Sequence, residues 1–135
     1  MDKILELSRE LGKLLQQEQC YKDYMHAKDV NDNDENLQKE IGEFNLVKLS
    51  IDQELSKEDR DEQKFRELNE QLRRIYSNIM VNESMQAFQK SKAELDRLVA
   101  GIYSVIVKCA SGENPDEVNF EDGCSGNCSS CGGCH

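Results

Sequence analysis

The chain has 135 residues, enough for one domain with a modest core. Its composition is 33% charged and 37% hydrophobic, with one proline and no tryptophan, as in helical bundles rather than sheet proteins. The formal net charge of −10 argues against direct binding of RNA or DNA, because nucleic acids select basic surfaces.

The first residues, MDKILELSRELGKLL, carry charges throughout. They lack the continuous apolar segment of a secretory signal, and no stretch of the chain reaches the ~18 apolar residues that a bilayer crossing needs. We therefore expect a cytoplasmic protein with no membrane insertion. In that reducing compartment, clustered thiols bind metals or carry out redox chemistry more often than they form structural disulfides.

Apolar residues at alternating spacings of three and four predict four helices between residues 3 and 110. The apolar stripes of these helices are Ile4, Leu7, Leu11, Leu14, Tyr21 and Met25; Leu37, Ile41, Phe44, Val47, Ile51 and Leu55; Phe65, Leu68, Leu72, Ile75 and Ile79; and Met85, Phe88, Leu95, Val99, Ile102, Ile106 and Cys109. On any single helix such a stripe favours a place in the core over a seam reserved for a partner.

Polar residues between the stripes predict the helix ends. The run from Asn31 to Asp34 consists of turn and cap formers. Ser56, with Asp59 three residues later, approximates a capping box and predicts the N-cap of the third helix. Asn82 predicts the cap of the fourth.

The predicted fold is all-α, a bundle of long antiparallel helices over residues 1–110. Helices of about 20 to 30 residues exceed the usual mean of about 11–12, so they are expected to pack as extended hairpins. A thin bundle of such helices leaves hydrophobic surface uncovered. We therefore expect a homo- or hetero-oligomer.

Residues 111–135 differ from the helical body. Ser111 to Pro115 predicts the end of the last helix, residues 113–122 are acidic and poor in apolar side chains, and residues 123–135 contain four glycines and three serines. Such a segment has too little apolar surface to fold by itself. We expect a flexible tail that becomes ordered when it binds something.

The cysteines of this tail are the strongest functional signal in the sequence. Cys124, Cys128, Cys131 and Cys134 follow the spacing C-x3-C-x2-C-x2-C, and the intervening glycines allow turns that bring the sulfurs together. The spacing is the reverse of the bacterial ferredoxin run and lacks its following proline. Three or all four thiolates can bind a [4Fe–4S] cluster.

Other ligands remain open at this site. A structural zinc ion needs four nitrogen or sulfur donors, although these usually come as two pairs joined by a longer connection. A transient redox dithiol, Cu(I) binding or a tail without metal would also fit. His135, beside Cys134, is either a further ligand or an ordinary terminal residue.

The remaining candidate groups do not predict an enzyme. Asp23 and His26 share a helical face, but a di-iron bundle site requires a second such motif and further glutamates. No strand–helix–strand pattern surrounds Cys128-x-x-Cys131, and the sequence has no phosphate loop, nucleophile elbow or HExxH. Cys109 lies on an apolar stripe and is expected to be a small buried hydrophobe, whereas the role of Cys20 is open.

With helices and tail placed, the chain resembles the YlbF/YmcA family of small helical regulators from Gram-positive bacteria. The matching residues are Leu11-Gly12, Tyr21, Tyr24, Ala27, Asp34, Ile41, Phe44, Asn82, Ala87, Phe88 and Leu98. The cysteine tail makes the chain similar to the YlbF-like members, whereas Asn45 and Glu83 depart from the family pattern.

This resemblance implies a non-enzymatic partner in a complex with YmcA-like and YaaT-like proteins. It further implies that the complex binds iron–sulfur clusters and modulates RNase Y in mRNA processing, with effects on sporulation, competence and biofilm formation. The tail cysteines carry over as expected cluster ligands.

Overall fold

The structure is a computed structural model, and it describes residues 1–119. Five helices follow one another: α1 (Asp2–Leu15), α2 (Gln19–Asn33), α3 (Glu35–Leu55), α4 (Glu62–Val81) and α5 (Glu83–Ala110). Within residues 1–119 there is no strand. The all-α prediction is confirmed.

The first predicted helix is two helices. α1 ends at Leu15, and the N–H groups of Gln17 and Glu18 donate to carbonyl oxygens three residues earlier, at 3.0 and 3.1 Å. Hydrogen bonds between residues three positions apart form a tight turn, and α2 then begins at Gln19. The prediction of one continuous helix was wrong because it treated the polar run around Glu18 as a gap in one stripe rather than a helix end.

The described chain divides into two compact units. One comprises Met1–Tyr24 together with the described residues from Lys90 onward, and the other comprises Met25–Gln89. The second unit contains α3 and α4, which form an antiparallel hairpin.

The core of the second unit lies between α3 and α4. Its buried members are Leu37, Val47, Ile51, Ile75 and Ile79, with Ile41, Phe44, Phe65, Leu68, Leu72 and Met85 packed against them. These side chains belong to the second and third predicted stripes and the start of the fourth. Burial of the stripes of α3 and α4 against each other confirms the predicted helical hairpin.

The loop between α3 and α4 differs from the prediction. Ser56 is the C-cap of α3, and its hydroxyl donates to the carbonyl oxygen of Asp52 at 2.9 Å. The N-cap of α4 is Asp61, whose carboxylate accepts from the N–H groups of Gln63 and Lys64 at 3.1 and 3.2 Å. The assignment of Ser56 as an N-cap was wrong because Ser56 closes α3, and a loop separates it from Asp61, where α4 begins.

Glu54 stabilises this loop through hydrogen bonds. Its side chain is almost fully buried and accepts from the Asp61 N–H at 2.9 Å and from the Lys57 ammonium at 3.1 Å. The Lys64 ammonium lies 3.5 Å from the same carboxylate. The Asp61 N–H bond, followed by the hydrogen bond from Lys57, lowers the pKa of Glu54 below its ordinary 4.5.

At the other end of the hairpin, the Asp34 carboxylate accepts several hydrogen bonds, as Glu54 does in the loop. As the N-cap of α3 it accepts from the Leu37 N–H at 3.0 Å, and it also accepts from the Ser84 hydroxyl at 2.8 Å and the Asn82 side-chain amide at 3.3 Å. Those bonds, the one from Leu37 first, lower the pKa of Asp34. Asn82 in turn accepts from the Met85 N–H at 3.1 Å, which confirms it as the cap of α5. One carboxylate thus joins the starts of two helices.

Candidate functional site

The candidate metal ligands Cys124, Cys128, Cys131, Cys134 and His135 lie outside the described residues. The structure does show where the segment that carries them begins. The predicted helix end at Ser111 to Pro115 is confirmed, because α5 ends at Ala110.

A Schellman motif ends α5. The N–H of Gly112 donates to the carbonyl oxygen of Cys109 at 3.0 Å, and the N–H of Glu113 donates to that of Lys108 at 3.1 Å. Gly112 has a φ of +99°, which a residue with a Cβ adopts only under strain. The glycine therefore fixes the point at which the chain leaves the helix axis.

The first described residues of the tail are anionic. Glu113, Asp116 and Glu117 are all exposed. They lie around a turn in which the side-chain oxygen of Asn114 accepts from the Asp116 N–H at 3.2 Å and its carbonyl oxygen accepts from the Glu117 N–H at 3.0 Å. A group bound further along the tail is therefore preceded in the chain by negative charge.

The helices offer no competing metal centre. Within residues 1–119, no group of three or more His, Cys, Asp and Glu side chains is arranged to hold an ion. Asp23 accepts from the side-chain amide of Gln19 at 2.8 Å, and His26 is exposed on the same helix. The two remaining cysteines, Cys20 and Cys109, are free half-buried thiols, so Cys109 is less enclosed than its stripe predicted.

The stripe of α1 is exposed rather than buried. Ile4, Leu7, Leu11 and Leu14 are 69%, 60%, 40% and 59% exposed, and no residue of α1 is buried. We call these four side chains the α1 stripe. The expectation that this spacing marks a core was wrong for α1, although it holds for α3 and α4. An exposed apolar helix face of this size is typical of a protein-binding surface.

A shallow apolar groove crosses the α3–α4 hairpin. Its volume is about 400 Å³, it is open to solvent, and it is lined by Phe44, Leu72, Arg73, Tyr76 and Ser77. The rings of Phe44 and Tyr76 lie 6.3 Å apart at their centroids, which is within the range of favourable aromatic contacts.

Comparison with known families decides what kind of protein this is. Residues 4–109 match a family model described as control of competence regulator ComK, YlbF/YmcA. The chain belongs to the YlbF/YmcA family. The match spans α1 to nearly the end of α5, so the helical body is the YlbF/YmcA region, and the cysteines of the tail follow it. No curated protein and no solved structure matches the chain.

Several residues that suggested the YlbF/YmcA resemblance occupy structural positions. Asp34 and Asn82 cap helices and contact each other, Ala27 is buried in α2, and Phe44 lines the α3–α4 groove. These residues contribute to the packing and capping of the helical body. None of the five helices in residues 1–119 combines the length and apolarity that a bilayer crossing requires.

Sequence reasoning missed the exposure of the α1 stripe and the polar contacts at the ends of the α3–α4 hairpin. The break after Leu15 was visible in the run Gln16 to Gln19, which has no apolar side chain. The contact between Asp34 and Ser84 had no local signal, because the two residues are 50 positions apart.

Proposed function

We propose that this protein is a non-enzymatic regulatory adaptor of the YlbF-like type. Its helical body binds YmcA-like and YaaT-like proteins, and its tail holds a [4Fe–4S] cluster through Cys124, Cys128, Cys131 and Cys134. The assembly modulates RNase Y-dependent mRNA processing and through it sporulation, competence and biofilm formation. The observation that carries this proposal is the match to a family of competence regulators, followed in the chain by four clustered thiols.

The chemistry of the donor set fits the cluster. Thiolates are the usual ligands of iron–sulfur clusters, and four of them within one short segment can reach a single centre. Adding an electron to such a cluster beside the acidic residues 113–122 increases negative charge in one place, so Coulomb repulsion disfavours the reduced state. A low reduction potential suits a cofactor that stabilises or reports on an assembly better than an electron carrier.

Oxygen-free purification tests the cofactor. We expect a brown protein with about four irons and matching sulfide per bound cluster. Replacing Cys128 and Cys131 by serine should remove the iron and leave the helical signal in circular dichroism unchanged. The matched control replaces Cys20 and Cys109, the two thiols on the helices, and should retain the iron.

The outcome of metal analysis separates the adaptor from its alternative. A colourless protein that holds zinc or copper through the same cysteines would indicate a metal storage or delivery module instead. Preparations that contain no transition metal, with and without the partner proteins, would contradict both.

Co-purification tests the adaptor role. The chain should capture RNase Y when YmcA-like and YaaT-like proteins are present, and capture should weaken when the exposed α1 stripe is changed by replacing Leu7 and Leu14 with glutamate. If RNase Y is not retained with either partner or with both, while the chain carries its cluster, the adaptor role is wrong and the cofactor assignment stands.

A further inference from the structure

The α3–α4 groove combines an apolar surface with one cationic side chain. Among the described residues that line it, Phe44, Leu72 and Tyr76 are aromatic or aliphatic, and Arg73 is the one that carries a charge. The Tyr76 side chain is 52% exposed, and Arg73 is exposed as well. A ligand in the groove therefore meets aromatic carbon and a guanidinium at the same time.

The guanidinium of Arg73 is available to a ligand. Within residues 1–119 it forms no ion pair with any acidic side chain. An arginine can bind a carboxylate through two parallel hydrogen bonds, and this geometry makes the contact specific as well as strong. The groove thus holds an anion-binding group that the described part of the chain does not use.

Another arginine of the same hairpin shows a complete arrangement of this kind. Just before α4, the guanidinium carbon of Arg60 lies 5.0 Å from the centroid of the Phe65 ring. The Nη2 atom of Arg60 also lies 2.7 Å from a carboxylate oxygen of Glu62. Aromatic ring, arginine and carboxylate are all present there. The groove supplies aromatic rings and an arginine, so a carboxylate from a ligand would complete the same set.

The charge around the groove also favours an acidic ligand. Residues 71–81 of α4 carry Arg73 and Arg74 and no acid. Residues 37–51 of α3, which supply its buried core, carry two lysines and two glutamates. These two stretches together have four bases against two acids, whereas the whole chain has a net charge of −10. A positive patch on an acidic protein complements a negative patch on a partner.

The size and lining of the groove fit a side chain of another protein. Its volume of about 400 Å³ lies near the lower end of the ~300–1,000 Å³ of ligand pockets, and it is open to solvent. Tyrosine, phenylalanine and arginine are enriched where proteins bind each other. Nucleic acid fits less well, because its binding depends on many phosphate contacts and this surface offers few cations.

We propose that the α3–α4 groove binds an acidic segment of a partner protein. An aromatic or large aliphatic side chain of that segment occupies the groove, and a neighbouring carboxylate pairs with Arg73. This inference deepens the proposed adaptor role and rests on it, because it states the chemistry of one partner of the helical body. The contact depends on salt, since the charge pair lies at an exposed surface.

Fluorescence anisotropy with the full-length protein tests the groove. The probes are rhodamine-labelled peptides of the form Gly-Asp-Glu-X-X-Asp-Glu-Gly, in which each X is Phe, Tyr, Trp, Leu, Ile or Met. At least one should bind, and its affinity should fall when the salt concentration rises from about 0.05 to about 0.5 M. The same peptide with lysines in place of its acids, or with alanine at both X positions, should bind more than tenfold more weakly.

Variants of the protein locate the binding site. Arg73→Glu should raise the dissociation constant of the bound peptide by more than tenfold, or more than about 1.4 kcal/mol, because repulsion replaces a charge pair. Tyr76→Ala removes an exposed ring and should weaken the same peptide. The matched control Arg97→Glu makes the same charge change at an exposed arginine of α5 that is not part of the groove, and it should bind as the wild type does. All three variants should keep the helical circular dichroism signal.

Three results would overturn the proposal. They are failure of every acidic peptide to bind, equal weakening by Arg73→Glu and Arg97→Glu, and tighter binding of a labelled oligouridylate that Arg73→Glu abolishes, which would assign the groove to single-stranded RNA. Capture of RNase Y by the wild type is scored separately. Its loss with peptide binding intact contradicts the adaptor role alone, whereas capture without peptide binding contradicts this inference alone.

Discussion

Replacing Leu37 by alanine measures how far the α3–α4 core stabilises the protein. Leu37 has no exposed surface and lies in the first turn of α3, three residues after the N-cap Asp34. It belongs to the buried cluster between α3 and α4, together with Val47, Ile51, Ile75 and Ile79. Truncation removes buried apolar atoms and leaves a cavity. We expect a loss of about 3–4 kcal/mol in the free energy of unfolding.

That loss is a large part of the about 5–15 kcal/mol that stabilises a typical domain. Urea unfolding followed by far-ultraviolet circular dichroism measures it from the midpoint and the slope. Leu46→Ala is the matched control, because it makes the same change on the same helix at a side chain that is 66% exposed. It should change the free energy of unfolding by less than about 0.5 kcal/mol. Equal effects of the two variants would refute the assignment of the core to the α3–α4 interface.

Three further changes test the polar contacts and helix ends. Because the pKa of Glu54 is lowered on folding, the native protein binds fewer protons than the unfolded chain around that pH. The free energy of unfolding should therefore fall as the pH drops from about 4.5 through the lower pKa of the folded state. In urea unfolding at a series of pH values, Glu54→Gln should flatten this part of the curve. Gly112→Ala places a Cβ on a residue with left-handed backbone, which costs about 1–2 kcal/mol of strain. This strain should fray the last turn of α5 and make amide hydrogen exchange faster there. Unchanged exchange would contradict the Schellman motif. Asp61→Ala should lower the stability measured by thermal unfolding by about 1 kcal/mol, because it removes the N-cap of α4. Ser56→Ala removes no N-cap and should have a smaller effect. A larger effect of Ser56→Ala would indicate that Ser56 is the N-cap of α4.

The helical body could be predicted because its signal is local. The stripes from Leu37 to Leu55 and from Phe65 to Ile79 repeat with the helical period. The structure buries Leu37, Val47 and Ile51 of the first stripe and Ile75 and Ile79 of the second between α3 and α4. The caps Asp34 and Asn82 were also recognisable from residue type. Periodicity and capping act over a few residues, so one sequence is enough to read them.

The errors came from features that depend on alternatives of similar energy. Ser56 and Asp61 are both good N-cap residues, and what decides between them is where α3 ends and which residue Glu54 reaches across the loop. Likewise, Gln16 to Glu18 can continue a helix or end it. Intrinsic preferences for the two outcomes differ by well under about 1 kcal/mol per residue, so packing determines the result.

The sequence by itself determined the helical class, the approximate places of most helices, the acidic character of the tail and the cluster of thiols that it carries, because each follows from residue type and spacing. Only the tertiary structure decided which apolar stripes are buried. The α1 stripe and the stripe of α3 both repeat at intervals of three and four residues, yet Leu37 is fully enclosed and Ile4 is 69% exposed. The helical repeat of apolar residues shows that a helix has an apolar face, but burial of that face depends on whether another element lies against it.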